Sequence, residues 1–237
     1  MKVIFATPTI KGPFAPYIAA LEASVPLIEA AGIEHQIVFE VGCPYISSAR
    51  ATMTRKALDH GADVIVFLDH DVSWRPADLL KLIQTEGDVV AGTYRIKHEP
   101  PDMPEDFMGV LFTDDRGRPV VRPTDGALKA KLVPAGFLKV TRDAVAAFMY
   151  HYPELTYGPL YSQSVDLFNH GAVFKDRIWW GEDYAFSQRW NNKCGDIWLV
   201  PDLQIDHHNA DGKCYPGNYH EFLLRAPGGS KSDNPVP

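Results

Sequence analysis

The sequence is poor in the features that mark several protein classes. Its 237 residues include three cysteines, Cys43, Cys194 and Cys214, and no two of them form a C-x-x-C pair. An odd number cannot all pair within one chain, so the expectation is reduced thiols in a reducing, cytoplasmic compartment. No apolar run approaches the ~20 residues that a membrane-spanning helix needs. The opening MKVIFATPTI has too short an apolar part for a secretory signal and lacks a small-residue cleavage site, so it reads as a first strand. Positive charge is in the minority: 23 Lys and Arg face 30 Asp and Glu, for a formal net charge of -7. That argues against the broad phosphate-gripping surface of a nucleic-acid binder. An acidic protein can still hold a phosphorylated small molecule through a metal ion. No internal repeat is present either.

What remains is a composition of 46% hydrophobic and 22% charged residues, ordinary for a globular protein with a sizeable core. Strand and helix signals alternate through the first hundred residues. Lys2–Ala6 is a short apolar run ended by Thr7-Pro8-Thr9. Pro16–Ala31 carries Ile18, Leu21, Val25 and Ile28 at helical spacing, with Gly32 behind it and Pro26 predicting a kink or break. Gln36–Val41 is a second strand, and Ser47 or Ser48 is placed to cap a helix ending at His60. Val64–Leu68 is apolar throughout, as in a strand buried on both faces. Pro76–Thr85 reads as helix and Asp88–Thr93 as a fourth strand. Strands separated by helices imply a parallel sheet with right-handed crossovers. Beyond them, Lys97–Met108 is a Pro- and Asp-rich loop, expected to be mobile near a ligand, and Thr113–Arg118 is a turn between short strands. Leu132–Thr141 follows as strand, Arg142–Tyr150 as helix, Asp183–Cys194 as helix and Ile197–Val200 as strand. One domain over 1–225 is expected, with a disordered tail over 226–237.

In open α/β sheets, ligands bind beyond the carboxyl ends of the strands. The most apolar strand runs straight into Asp69-His70-Asp71. Two carboxylates there are costly unless a cation joins them, and a hard divalent metal is the economical partner. The plainer alternative is a helix cap and a solvated turn. A second acidic pair, Glu182-Asp183, follows Trp179-Trp180-Gly181 at a helix start, where the macrodipole alone would favour carboxylates. The tryptophans fit either a stacking platform or the core. A third cluster, Asp202-Leu203-Gln204-Ile205-Asp206-His207-His208-Asn209, follows the last strand and is able to complete a metal shell begun by Asp71.

In this order and spacing the clusters resemble the GT-A-fold glycosyltransferases, particularly the family-2-like enzymes, over most of residues 1–210. The resemblance rests on the opening strand with Thr7-Pro8-Thr9, the Ile46–Leu58 helix carrying Arg50, and VIVFLDHDV over 64–72. It continues through GTYRIK, VPAGFLKVTRDAVAAF, WWGEDYAFSQRW and VPDLQIDHH. It implies a GT-A-like, Rossmann-like and mostly parallel sheet flanked by helices, with a small antiparallel element on the acceptor side. The implied activity is transfer of a sugar from a UDP- or GDP-sugar to an acceptor hydroxyl on a saccharide, a lipid-linked molecule or another compound.

Carried over by residue, the resemblance makes Asp71 a ligand of Mn2+ or Mg2+, with Asp69 touching the metal shell or the ribose. His207 is the third ligand and His208 its rival. Asp183 is the general base of an inverting reaction, with Glu182 beside it. Thr7, Pro8, Thr9, Arg50, His70, Trp180 and Gly181 line the donor pocket, and Gly136 lies on the acceptor side. The arginine is followed by Ala51 where relatives often have asparagine, which puts a diphosphate role for Arg50 in doubt. Rival readings are a sugar nucleotidyltransferase, a non-catalytic carbohydrate-binding protein of the same fold, and a mononuclear metallohydrolase. The first wants a Gly-rich basic loop after strand one, and Thr9–Pro13 offers one glycine and one lysine.

Overall fold

A computed structural model describes residues 1–97, 106–170, 172–173 and 178–225. The expected tail over 226–237 and most of the loop Lys97–Met108 lie outside the described residues. In chain order the first half runs β1 (Lys2–Thr9), α1 (Ala15–Ala30), β2 (Glu34–Val41), α2 (Ile46–Asp59), β3 (Val64–Leu68), β4 (Val72–Trp74), α3 (Pro76–Gln84) and β5 (Val89–Ala91). Then come β6 (Val110–Leu111), β7 (Leu128–Leu132), β8 (Phe137–Thr141), α4 (Arg142–His151), β9 (Thr156–Tyr157), β10 (Ser164–Val165), β11 (Ala172–Val173) and β12 (Ile178–Trp179). The chain closes with α5 (Glu182–Lys193), β13 (Ile197–Leu199), β14 (Ile205–His208), β15 (Cys214–Tyr215) and α6 (Tyr219–Arg225).

The central sheet has eight strands in the order β2-β1-β3-β8-β5-β13-β7-β6. The expectation of a mostly parallel sheet needs correcting, because the sheet is mixed. Pairs β1/β2, β1/β3 and β5/β13 are parallel, whereas β3/β8, β5/β8, β7/β13 and β6/β7 are antiparallel. The cause is local. Pro134 and Gly136 divide the expected strand Leu132–Thr141 into β7 and β8, and β8 inserts between β3 and β5 against both. Since β3 and β5 each oppose β8, they run the same way as each other and as β1 and β13.

Helices cover both faces. In β3, Val64, Val66 and Leu68 pack with α1 and α3, through Tyr17, Leu21, Leu79 and Leu82. Ile65 and Phe67 pack on the other side with Met53 of α2, Phe148 of α4 and Phe186 and Trp190 of α5. Each such side chain contributes ~1.5–3 kcal/mol by leaving water, so this strand is anchored from both sides. β1 extends through Thr9, beyond the expected Ala6. Pro8 is tolerated because pairing with β3 ends at Ala6↔Phe67, leaving β1 flanked on one side only. Pro26 stays within a continuous α1. Helix α2 begins one residue before the serines expected to cap it, at Ile46, with Tyr45 as a cap that makes no side-chain bond. The short strands β15-β14-β4 form a separate antiparallel sheet that the chain pattern did not announce.

Candidate functional site

The carboxyl ends of β1, β3, β5 and β13 open on one edge of the sheet, and the start of β8 lies at the same edge. Asp69 N–H donates to the Gly136 carbonyl at 2.9 Å, and Gly92 N–H to the Phe137 carbonyl at 2.9 Å. These bonds fix the exit of β3 against the start of β8. A Cβ at Gly136 would overlap the Tyr94 hydroxyl and the Asp69 carboxylate, so the close approach requires glycine.

Arg50 joins two of the acidic clusters. Its Nη2 donates to Asp69 Oδ1 at 2.9 Å and its Nη1 to Glu182 Oε1 at 2.8 Å. The guanidinium is buried, at 3% exposure, and lies 5.1 Å over the Phe168 ring. Burial opposes its charge, yet Asp69, Glu182 and Asp183 hold its pKa above the ordinary value. The remaining Asp69 oxygen, Oδ2, accepts from Tyr94 OH at 3.2 Å. Nη1 and Nη2 of Arg50 each donate to a carboxylate, while its buried Nε has no hydrogen-bond partner, so Arg50 positions Asp69 and Glu182.

Asp71 belongs to a different arrangement, built by the small sheet. β14 pairs antiparallel with β4, setting His207 opposite Val72, and His208 N–H donates to the Asp71 carbonyl at 2.8 Å. Because adjacent residues of a strand face opposite sides, the two histidines separate. His207 directs Nε2 to Asp71 Oδ2 at 3.5 Å, with Nδ1 hydrogen-bonded to the Arg95 carbonyl at 2.8 Å and its ring edge-on to Tyr94. His208 is buried and bonds Ser73 Oγ through Nε2 at 2.7 Å, and burial lowers its pKa. Lys97 Nζ lies 2.5 Å from Asp71 Oδ2. Burial alone would raise the Asp71 pKa, but His207 and Lys97 outweigh it and hold the carboxyl well below the usual range.

Asp71 and His207 fit a divalent cation. In its neutral form, with the proton on Nδ1 toward the Arg95 carbonyl, the imidazole would offer an Nε2 lone pair beside the carboxylate. The Asp71 carboxylate and that nitrogen would then be two donors for one cation, at an oxygen that Lys97 now holds. A carboxylate oxygen and an imidazole nitrogen, here 3.5 Å apart, are donor types that such an ion would accept. The Nδ1 anchor is the outer-shell contact that orients ligating histidines. Asp69, expected as a further ligand, bonds Arg50 and Tyr94 instead. Among the described residues no group of three or more His, Cys, Asp or Glu gathers as a metal cluster.

Glu182 and Asp183 open α5, whose start is capped by Gly181 through its backbone; Ala185 N–H donates to the Gly181 carbonyl at 2.9 Å. Asp183 Oδ1 accepts from Tyr184 N–H at 2.7 Å. Burial, helped by the neighbouring Glu182 carboxylate and only partly offset by Arg50, pushes the Asp183 pKa up to about 7. A carboxyl poised there exchanges its proton near neutrality. The Trp180 indole N–H is buried without a hydrogen-bond partner, and its ring lies 6.2 Å from Tyr184. Trp179 is 71% exposed and stacks on His170.

The remaining expected donor-pocket residues are already engaged by protein groups. The Thr7 hydroxyl bonds that of Tyr17, and Thr9 Oγ1 accepts from Gly12 N–H at 2.9 Å. Pro8, between them, is buried. The His70 carbonyl accepts from Phe14 N–H at 2.9 Å, and its ring packs edge-on against Phe14. Tyr94 and Lys97 entered the sequence reading only as part of GTYRIK, although they lie where the strand-end rule directs attention, directly after β5. Phe168 had no such signal. Two hollows, of about 470 Å³ beside α3 and about 190 Å³ beside α6, are lined by none of Asp69, Asp71, Glu182 and Asp183. The described residues include no helix long and apolar enough to cross a membrane, and the three cysteines are free thiols. No family model matches the chain, and comparison with curated proteins gives no match.

Proposed function

We propose that this protein is a metal-dependent glycosyltransferase of the GT-A type, moving a sugar from a UDP- or GDP-sugar to an acceptor hydroxyl with inversion. The observation that carries the reading is the meeting, at one edge of the sheet, of the Asp-x-Asp turn and the Glu-Asp helix start, joined through Arg50. Asp71 and His207 are the residues that would hold Mn2+ or Mg2+. When bound, the ion supplies Lewis-acid neutralisation of the departing diphosphate.

The chain's own groups do the rest. Asp183 Oδ2 is the atom assigned to the acceptor's proton, since Oδ1 is held by Tyr184 N–H. Its pKa of about 7 lets it accept that proton in neutral solution and release it afterwards. Glu182, fixed by Arg50, steadies the loop beside the donor sugar, and Asp69, fixed by Arg50 and Tyr94, is oriented toward the ribose side. Trp180 and Gly181 bring a ring and a bare backbone next to the base.

Calorimetric titration with UDP and with GDP, in Mn2+ and in excess chelator, tests the reading. Binding should require the metal with at least one of the two nucleotides, and Asp71→Ala should abolish it. Equal binding in chelator, or no binding of either nucleotide, would overturn the proposal.

A further inference from the structure

The segment 94–97 supplies the Asp71 site with both an anchor and a cation. The Arg95 carbonyl fixes the imidazole of His207, and two residues later the Lys97 ammonium sits 2.5 Å from Asp71 Oδ2. That oxygen is the same one that His207 Nε2 faces at 3.5 Å. Both side chains of the ion pair are largely withdrawn from water, Asp71 at 18% and Lys97 at 25% exposure. Positive charge beside the Asp71 carboxylate is thus supplied from within the chain. A divalent ion would require the same oxygen and would repel the ammonium at such short range. Lysine suits the exchange, because its point charge rides on a flexible four-carbon stem.

We propose that Lys97 is a built-in competitor for the divalent cation. It holds the Asp71–His207 position until metal and nucleoside diphosphate arrive together, when the diphosphate oxygens receive the displaced ammonium. Metal alone must eject a paired cation that has no new partner, whereas metal with diphosphate provides one. The two ligands therefore strengthen each other's binding, and by linkage the effect is reciprocal. The inference rests on the metal-dependent reading above.

Mn2+ binding to the full chain, followed by the electron paramagnetic resonance of the free ion, tests it. Without nucleotide, Lys97→Met should bind Mn2+ roughly tenfold more tightly than the parent protein, within the usual span of site–site coupling. Lys97→Arg, which keeps the charge, should stay near the parent value, and Asp71→Asn should abolish binding in either background. Adding UDP or GDP should tighten Mn2+ binding more in the parent than in Lys97→Met. If Lys97→Met binds Mn2+ no more tightly than the parent while Asp71→Asn abolishes binding, the competitor role is wrong and the metal site stands. If neither the parent nor Lys97→Met binds Mn2+ through Asp71, the metal-dependent reading fails and this inference with it.

Discussion

Replacing Asp183 with asparagine should stabilise the protein fully at neutral pH and above, and hardly at all below about pH 4. The carboxyl's pKa rises from the ordinary 3.8 to about 7, chiefly through burial and the adjacent Glu182. A group whose pKa is raised on folding favours the native state when protonated. Its contribution is complete below pH ~4 and is lost progressively as pH climbs from there to about 7, above which the native protein carries a poorly hydrated charge. At about 1.36 kcal/mol per tenfold change in proton affinity, the span corresponds to an upper bound of about 4 kcal/mol. Asp183 keeps part of its surface in water and has Arg50 nearby, so about half of that is expected, ~2 kcal/mol. For a chain of this length that is a rise in Tm of roughly 4–8 °C at pH 8. At about pH 3.5 the carboxyl is largely protonated in the native and the unfolded chain alike, and the asparagine variant should melt close to the parent. The asparagine Oδ1 can still accept from Tyr184 N–H, so the helix start is preserved. Scanning calorimetry at the two pH values decides the matter. A variant that melts at or below the parent at pH 8, or gains equally at about pH 3.5, would refute the argument that burial holds this carboxyl near neutrality.

Arg50→Met should leave two carboxylates without their shared cation. Removing one partner of a buried ion pair costs about 3–5 kcal/mol, so urea unfolding should show a loss of that order, and a loss under about 1 kcal/mol would contradict the bridging role. Gly136→Ala should cost about 1–3 kcal/mol by the same assay, because the new methyl group meets Tyr94 and Asp69, and a neutral result would mean that the β8 start shifts freely. His207→Ala should weaken Mn2+ binding far more than His208→Ala in calorimetry, since His207 faces Asp71 whereas His208 faces Ser73. The reverse order would exclude His207 as a ligand.

Much of the frame was legible because its signals are local. Five apolar residues in Val64–Leu68 announce a strand buried on both faces, and Asp69 to Asp71 follow it directly. The helix starting at Glu182 was legible in the same way, from acidic residues ahead of Phe186 and Trp190. The direction and order of strands were not, because nothing in FLKVT over 137–141 tells whether its neighbours run with it or against it. β4, β14 and β15 are too short to show a period, so the ladder that separates His207 from His208 is visible only in three dimensions. Once that ladder is known, strand alternation alone distinguishes the two histidines. Arg50 stood out only through the family resemblance, and its two carboxylate partners lie 19 and 132 residues away along the chain. Contacts of that range leave no local pattern.

The most direct test of the account measures sugar transfer and donor binding together in Asp183→Asn. With Mn2+ and the UDP- or GDP-sugar that binds, calorimetry should give nearly unchanged donor affinity. Turnover to an acceptor hydroxyl should fall by roughly a hundredfold or more, as expected when a general base is removed. A variant that binds donor and keeps most of its transfer rate would contradict the assignment of Asp183 as the base.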